Sequence, residues 1–204
     1  MLINKEVIAI FPEAVIYKTI VNIDNNEIIN YLKNLKFNLT ENSLNNECNC
    51  YISENLNIFK DLDVLKNKIK ENVDIYLYEM FKYKMNYGFL NSWSTKTGKN
   101  GFSQKHSHHN TFLTGVYYPI GNQSFKINFH RKPDIFWDIQ TEVSNIFNGD
   151  KITLTIDQNN TLILFRSNIE HSIETNESDI MRYSIAFNIN PKGYIGSNDN
   201  RVLF

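Results

Sequence analysis

Apolar positions recur along this chain with two different periods, and the period changes near Tyr87. Before that point spacings of three and four dominate. Ile28, Ile29, Leu32 and Leu35 follow Asp24, a residue type that caps helix N-termini, and predict a short helix from 24 to about 35. Leu62, Leu65, Ile69, Val73, Leu77, Met80 and Phe81 keep that spacing and predict a long amphipathic helix ending near Lys84. Tyr76, Tyr78, Phe81 and Tyr83 on it read as packing residues. Val7 to Val21 gathers β-branched and aromatic residues around Phe11-Pro12, as an edge strand interrupted by proline does, and residues 40–54 read as a polar loop.

From Tyr87 onward the period is two, and short apolar runs alternate with Gly, Asn and Asp turns. Strands are predicted at 87–96, 102–109, 112–119, 124–130, 134–137, 151–156, 161–166, 169–174 and 180–189. So many short strands exceed what an open two-layer sheet of this size accommodates, and helices first with strands afterwards suit a mainly β, α+β chain. The expected architecture is a double-stranded β-helix, a jelly-roll of the cupin-like kind, with the N-terminal helices packed on one sheet. One domain spans 1–204: an N-terminal strand and helical layer over 1–86, the jelly-roll core over 87–190, and a C-terminal tail over 191–204.

With 204 residues, 42% of them hydrophobic, the chain can bury a sizeable core as one domain. Twenty-one basic against 22 acidic residues leave a net charge of −1, which gives no footprint for nucleic acid or an anionic membrane. The start lacks the features of a secretory signal and no run of about 18 apolar residues occurs, so the expected location is the cytoplasm. Cys48 and Cys50 are too few for a disulfide framework and poorly spaced for structural zinc, and read as reduced thiols.

Candidate chemistry concentrates in QKHSHHNTFLTGVYY, residues 104–118, which holds three of the five histidines. In an extended strand residues i and i+2 share a face, roughly 6 to 7 Å apart, so His106 and His108 can converge on one metal ion while His109 points away. A solvated histidine-rich hairpin edge would show the same letters. Further on, a buried strand at 162–165 leads to His171, and eleven positions later Arg182 shares a strand face with Ser184 and Ala186. An inward arginine calls for an anion, and a small dicarboxylic acid supplies a bidentate partner; Glu170, Glu174 or Asp179 would do so if Arg182 lay at the surface. His130, beside Arg131 and Lys132, reads as a solvated loop histidine.

HSHHNTFLTGVYYP followed by LFRSNIEHSIETNESDIMRYSIAFN resembles the iron(II)- and 2-oxoglutarate-dependent oxygenase superfamily, and within it a branch common in bacteria and phages. There the matching pieces are an HxH, an SGVYY-like strand, a turn, a histidine and an RxSxxFN strand. The opening IAIFPEAVIY resembles that branch's start, and prolyl hydroxylases share the same layout more distantly. The resemblance implies iron(II) held by His106 and His171 with a third ligand, and 2-oxoglutarate as cosubstrate beside dioxygen and an unidentified substrate. Most of the superfamily has HxD where this chain has His106-Ser107-His108, so His108 occupies the carboxylate's position and makes the site one charge more positive. A bulge would bring His109 to the metal in its place. By the same resemblance Arg182 pairs with the distal carboxylate of 2-oxoglutarate, with Ser184, Tyr118 and Thr114 at that end. Asn91 and Trp93 are candidates for the open side of the pocket.

The implied activity is hydroxylation of an unidentified substrate with release of succinate and CO2. A cupin-like three-histidine metal protein that does not use 2-oxoglutarate, or a metal-free structural jelly-roll, would carry the same fold. Arg182 separates the first alternative and the three histidines the second. Because a metal ligand must be a neutral imidazole of reference pKa about 6.5, metal affinity is expected to fall below about pH 6.

Overall fold

In the computed structural model, residues 15–40, 49–131 and 150–204 are described. The predicted strand at 134–137, the proline-interrupted segment before residue 15, and Cys48 lie outside them. The elements run β1 (Ile16–Ile20), α1 (Asn26–Asn34), β2 (Phe37–Leu39), β3 (Cys50–Ser53), α2 (Asp63–Asp74), β4 (Asn86–Thr97), β5 (Ser103–His106), β6 (Leu113–Tyr118), β7 (Lys126–His130), β8 (Lys151–Thr155), β9 (Thr161–Arg166), β10 (His171–Ile173), β11 (Arg182–Lys192), β12 (Tyr194–Ile195) and β13 (Val202–Leu203).

Two antiparallel sheets face each other in the expected jelly-roll. The larger has the order β1-β9-β6-β11-β4-β3-β2, and the smaller β5-β10-β7-β8. Period two in the central strands assigns each residue to one of two cores. On β11, Tyr183, Ile185, Phe187 and Ile189 pack against Ile28, Leu32, Leu65, Ile69, Val73 and Leu77 of the helical layer. Its alternate positions Arg182, Ser184, Ala186 and Asn188 point between the sheets, as their register partners Thr97, Thr95, Trp93 and Asn91 on β4 do. β6 divides likewise, with Leu113 and Tyr117 outward and Val116 and Tyr118 inward, among Phe125, Ile127, Phe129, Ile163 and Phe165. Gly115 lies beneath the Phe187 ring; a Cβ there would collide with that ring and with Leu164.

Three sequence expectations are corrected. The long helix is α-helical only to Asp74, after which Ile75–Met80 winds as a π-helix that still buries Tyr76 and Leu77. Residues 37–39 and 50–53, read from their polar composition as a helix end and a loop, pair as β2 and β3 and extend the larger sheet beside β4. The tail expected over 191–204 contains the end of β11 and a ribbon of β12 with β13. Helix α1 starts two residues after Asp24, whose Oδ1 accepts the Asn26 amide at 3.1 Å, as a capping side chain does. No helix among the described residues is long and apolar enough to cross a membrane.

Candidate metal centre and cosubstrate pocket

Three histidines meet between the sheets. β5 ends at His106, which pairs with His171 on the neighbouring β10. The chain then leaves the strand, and the His108 amide donates to the Ser167 carbonyl at 2.9 Å. Convergence of His106 and His108 therefore comes from a turn anchored on residue 167, where a continuous strand over 102–109 was expected. His109 is exposed and stands outside the group. Ring centroids lie 4.3 Å apart for His106 and His171, 5.3 Å for His108 and His171, and 5.5 Å for His106 and His108.

Their ligand atoms all lie within 4.8 Å of one another. Nitrogens bound to one ion at roughly 2.0 to 2.1 Å can be at most about 4.2 Å apart, so small ring rotations close the set on a single metal. The donor chemistry also fits. His106 Nδ1 lies 2.8 Å from the Gln104 carbonyl and His171 Nδ1 lies 3.1 Å from the Ile169 carbonyl. A carbonyl only accepts, so both Nδ1 atoms carry hydrogen and both Nε2 atoms keep a lone pair. Burial, and then the charge of His106, push His171 down to about 3 and His108 down to about 4. These two rings are neutral well below pH 6, which moves their part of the expected loss of metal affinity to lower pH.

A cavity of about 150 Å³ opens beside the histidines, lined among others by Trp93, Tyr118, Arg182 and Ser184. That is about five water volumes, space for a small acid. Arg182 is 3% exposed, and its Nη1 donates to the Glu174 carbonyl at 3.1 Å while the guanidinium lies over the Phe125 ring. The surface ion pair considered from the sequence is not formed. Glu170 pairs with Lys105, Asp179 with Lys99, and the Glu174 carboxylate accepts from Asn128 and lies near Lys126 and Lys151. Ser184 Oγ is 2.6 Å from Thr95 Oγ1. Burial, opposed by the Arg182 charge, pushes Tyr118 up to about 12, so its phenol keeps its proton as a hydrogen-bond donor.

Thr114 is not brought to this end. Four residues before Tyr118, about 13 Å along β6, it bonds Ser167 Oγ at 2.9 Å and Asn188 Oδ1 at 3.0 Å. His130 closes β7 with Nε2 2.9 Å from Ser172 Oγ, and is no loop residue. Sequence reasoning missed Thr95, Thr97 and Cys50 as cavity walls. Pairing of β3 with β4 would have been needed to find Cys50, and its polar surroundings hide that strand.

Residues 91–188 match a family described as "Putative 2OG-Fe(II) oxygenase". The matched stretch starts at Asn91 on β4, contains all three clustered histidines and Arg182, and ends at Asn188. It belongs to the 2OG-Fe(II) oxygenase family. The chain is thus an oxygenase that depends on iron(II) and 2-oxoglutarate, and the cupin-like and metal-free alternatives are not favoured.

Solved structures show the same fold for the oxygenase over most of its length. An oxidoreductase of the 2OG-Fe(II) oxygenase family from Burkholderia pseudomallei superposes with a TM-score of 0.60 at 11% identity, covering 87% of this chain and 84% of that one. HygX from Streptomyces hygroscopicus, solved with nickel, 2-oxoglutarate and hygromycin B, also gives 0.60, at 10% identity over 86% and 82%. A prolyl hydroxylase from Trichoplax adhaerens gives 0.57 at 13% identity over 87% and 83%. No curated protein matches the chain in sequence.

Proposed function

We propose that His106, His108 and His171 hold one iron(II), that Arg182 with Tyr118 and Ser184 receives 2-oxoglutarate, and that the oxygenase hydroxylates a substrate entering beside Trp93. The observation that carries this reading is the placement of three histidines and a buried guanidinium on the walls of one small cavity. Iron with 2-oxoglutarate supplies oxidative chemistry in which dioxygen and a C–H bond are converted to succinate, CO2 and an alcohol.

The chain's own groups bind and orient. Arg182 presents N–H donors to a carboxylate in a water-poor site, where charge-assisted hydrogen bonds are strong. Its backing by the Glu174 carbonyl and the Phe125 ring holds the guanidinium plane toward the cavity. Tyr118, protonated at any physiological pH, and Ser184, held by Thr95, add neutral donors at the same end. Along β4, Thr97 lies opposite Arg182 and Trp93 lies opposite Ala186, about 13 Å apart on one face, so the acid end and the open end are separated by the histidines. The Trp93 ring stands 5.8 Å from His108. A substrate approaching there meets the metal from the side opposite the diacid anchor. Thr114 has no cosubstrate role in this arrangement.

Succinate release tests this reading without a known substrate, through uncoupled turnover. Wild-type protein given iron(II), 2-oxoglutarate and air should form succinate, and His171→Ala should not. Equal succinate from the two would remove the metal from these histidines.

A further inference from the structure

His106 and His171 each have a ring N–H committed to a backbone carbonyl two residues earlier, which leaves the other nitrogen free as a donor atom. His108 is held differently. Its ring is hydrogen-bonded by the side chain of Asn188, which is 8% exposed on the inward row of β11. Asn188 Oδ1 in turn accepts the Thr114 hydroxyl at 3.0 Å, and Thr114 Oγ1 is 2.9 Å from Ser167 Oγ. The Ser167 carbonyl receives the His108 backbone amide at 2.9 Å. Main chain and ring of His108 are thus tied to one buried polar cluster, with Thr114 0% and Ser167 1% exposed.

A carboxylate in the same place would need no such help, because both of its oxygens accept and either can face a metal. An imidazole has a single acceptor nitrogen when neutral, and the wrong tautomer turns an N–H toward the ion. A carboxamide oxygen has two lone pairs, enough for the Thr114 hydroxyl and one ring N–H.

We propose that Asn188 is a positioning residue whose Oδ1 accepts the ring N–H of His108, fixing the tautomer that turns the lone pair toward His106 and His171. This rests on the reading of His108 as a metal ligand. Asn188 does for the third histidine what backbone carbonyls do for the other two, and outer partners of this kind are typically worth 10–100-fold in metal affinity.

Two measurements test it. Ring nitrogen shifts of 15N-histidine-labelled, metal-free protein at neutral pH report the His108 tautomer without any metal or turnover. Wild type should show one tautomer, Asn188→Ala a mixture, and Asn188→Asp, which can only accept, the wild-type tautomer. Nickel(II) titration should then show about 10–100-fold weaker binding for Asn188→Ala and recovery in Asn188→Asp, with thermal melts confirming folding. If Asn188→Ala does not fold, Asn188→Asp still decides: the opposite tautomer would mean that the Asn188 amide nitrogen donates to the ring, overturning the proposal. Wild-type tautomer and nickel affinity in Asn188→Ala would overturn it too. Wild-type protein that holds one tautomer but binds no nickel would instead reject the metal centre and leave the Asn188 contact standing.

Discussion

His106 and His171 occupy facing positions on the neighbouring strands β5 and β10, and their ring centroids are 4.3 Å apart, the closest approach in the histidine group. The sheet ladder itself therefore brings two of the three rings together. His106→Ala or His171→Ala should each leave the fold intact, because one ring is exposed and the other packs at the edge of the core, yet abolish stable metal binding. Metal analysis after dialysis against iron(II) or nickel(II) checks this, and full occupancy in the double variant would refute the ligand assignment.

Removal of the acid anchor should separate cosubstrate from metal. Arg182→Ala is expected to weaken 2-oxoglutarate binding by about 2 to 4 kcal/mol, roughly 30- to 900-fold, with metal content unchanged. Arg182→Lys should recover part of it, since a single ammonium cannot reproduce the planar fork. Calorimetric titration of the metal-loaded protein gives the answer, and equal affinity for wild type and Arg182→Ala would place the diacid elsewhere.

Metal-free stability should depend on pH through His108 and His171. Both have folded-state values below the ordinary 6.5, so as pH falls from 6.5 toward about 4 the unfolded chain takes up protons that the folded chain refuses. Stability therefore drops with acidification, by at most about 1.4 kcal/mol per pH unit for each ring and less for the partly exposed His108, and these rings add no slope above 6.5. Thermal melts in chelator at pH 7, 6 and 5 should show a shallower dependence for His171→Ala than for wild type. Identical slopes would contradict the buried, neutral state of that ring.

His108→Asp puts a carboxylate at the position where most of the superfamily carries one. Metal binding should survive, because a carboxylate oxygen binds divalent ions at about the same length as an imidazole nitrogen, roughly 2.0 to 2.2 Å. The anaerobic visible band of the iron(II) and 2-oxoglutarate complex and the rate of succinate release should both change, whereas His109→Ala should leave both as in wild type. A band and rate indifferent to His108→Asp and to His108→Ala would show that residue 108 is not a ligand.

Much of this architecture was legible in the alternation of apolar residues. The central strands β4, β6, β9 and β11 appear close to their predicted limits because each separates two cores, and a two-sided apolar demand writes a strong period into the sequence. β2 and β3 escaped because they extend the sheet at its margin, where Asn38 and Leu39 are exposed and little hydrophobic pattern is required. Within the site, His106, His108, His171 and Arg182 were recognisable by residue type and order. Thr114 was misplaced because strand parity gives the face but not the distance along it, and it bonds Asn188 rather than facing the diacid end. The contact from Asn188 to His108 joins residues 80 positions apart and has no local signature in the sequence.

The division of β11 into two alternating rows bears on how this protein can change over time. Positions 182, 184, 186 and 188 touch only the chamber, and 183, 185, 187 and 189 only the helical side, so altered specificity at Ala186 or its neighbour Trp93 need not disturb the packing that holds the strand. Length is the constraint. Loss of one residue within this strand would exchange the rows, driving Phe187 into the chamber and a guanidinium against the helices. Drift of chemistry on this scaffold should therefore proceed by replacement, with insertions and deletions confined to the connecting turns.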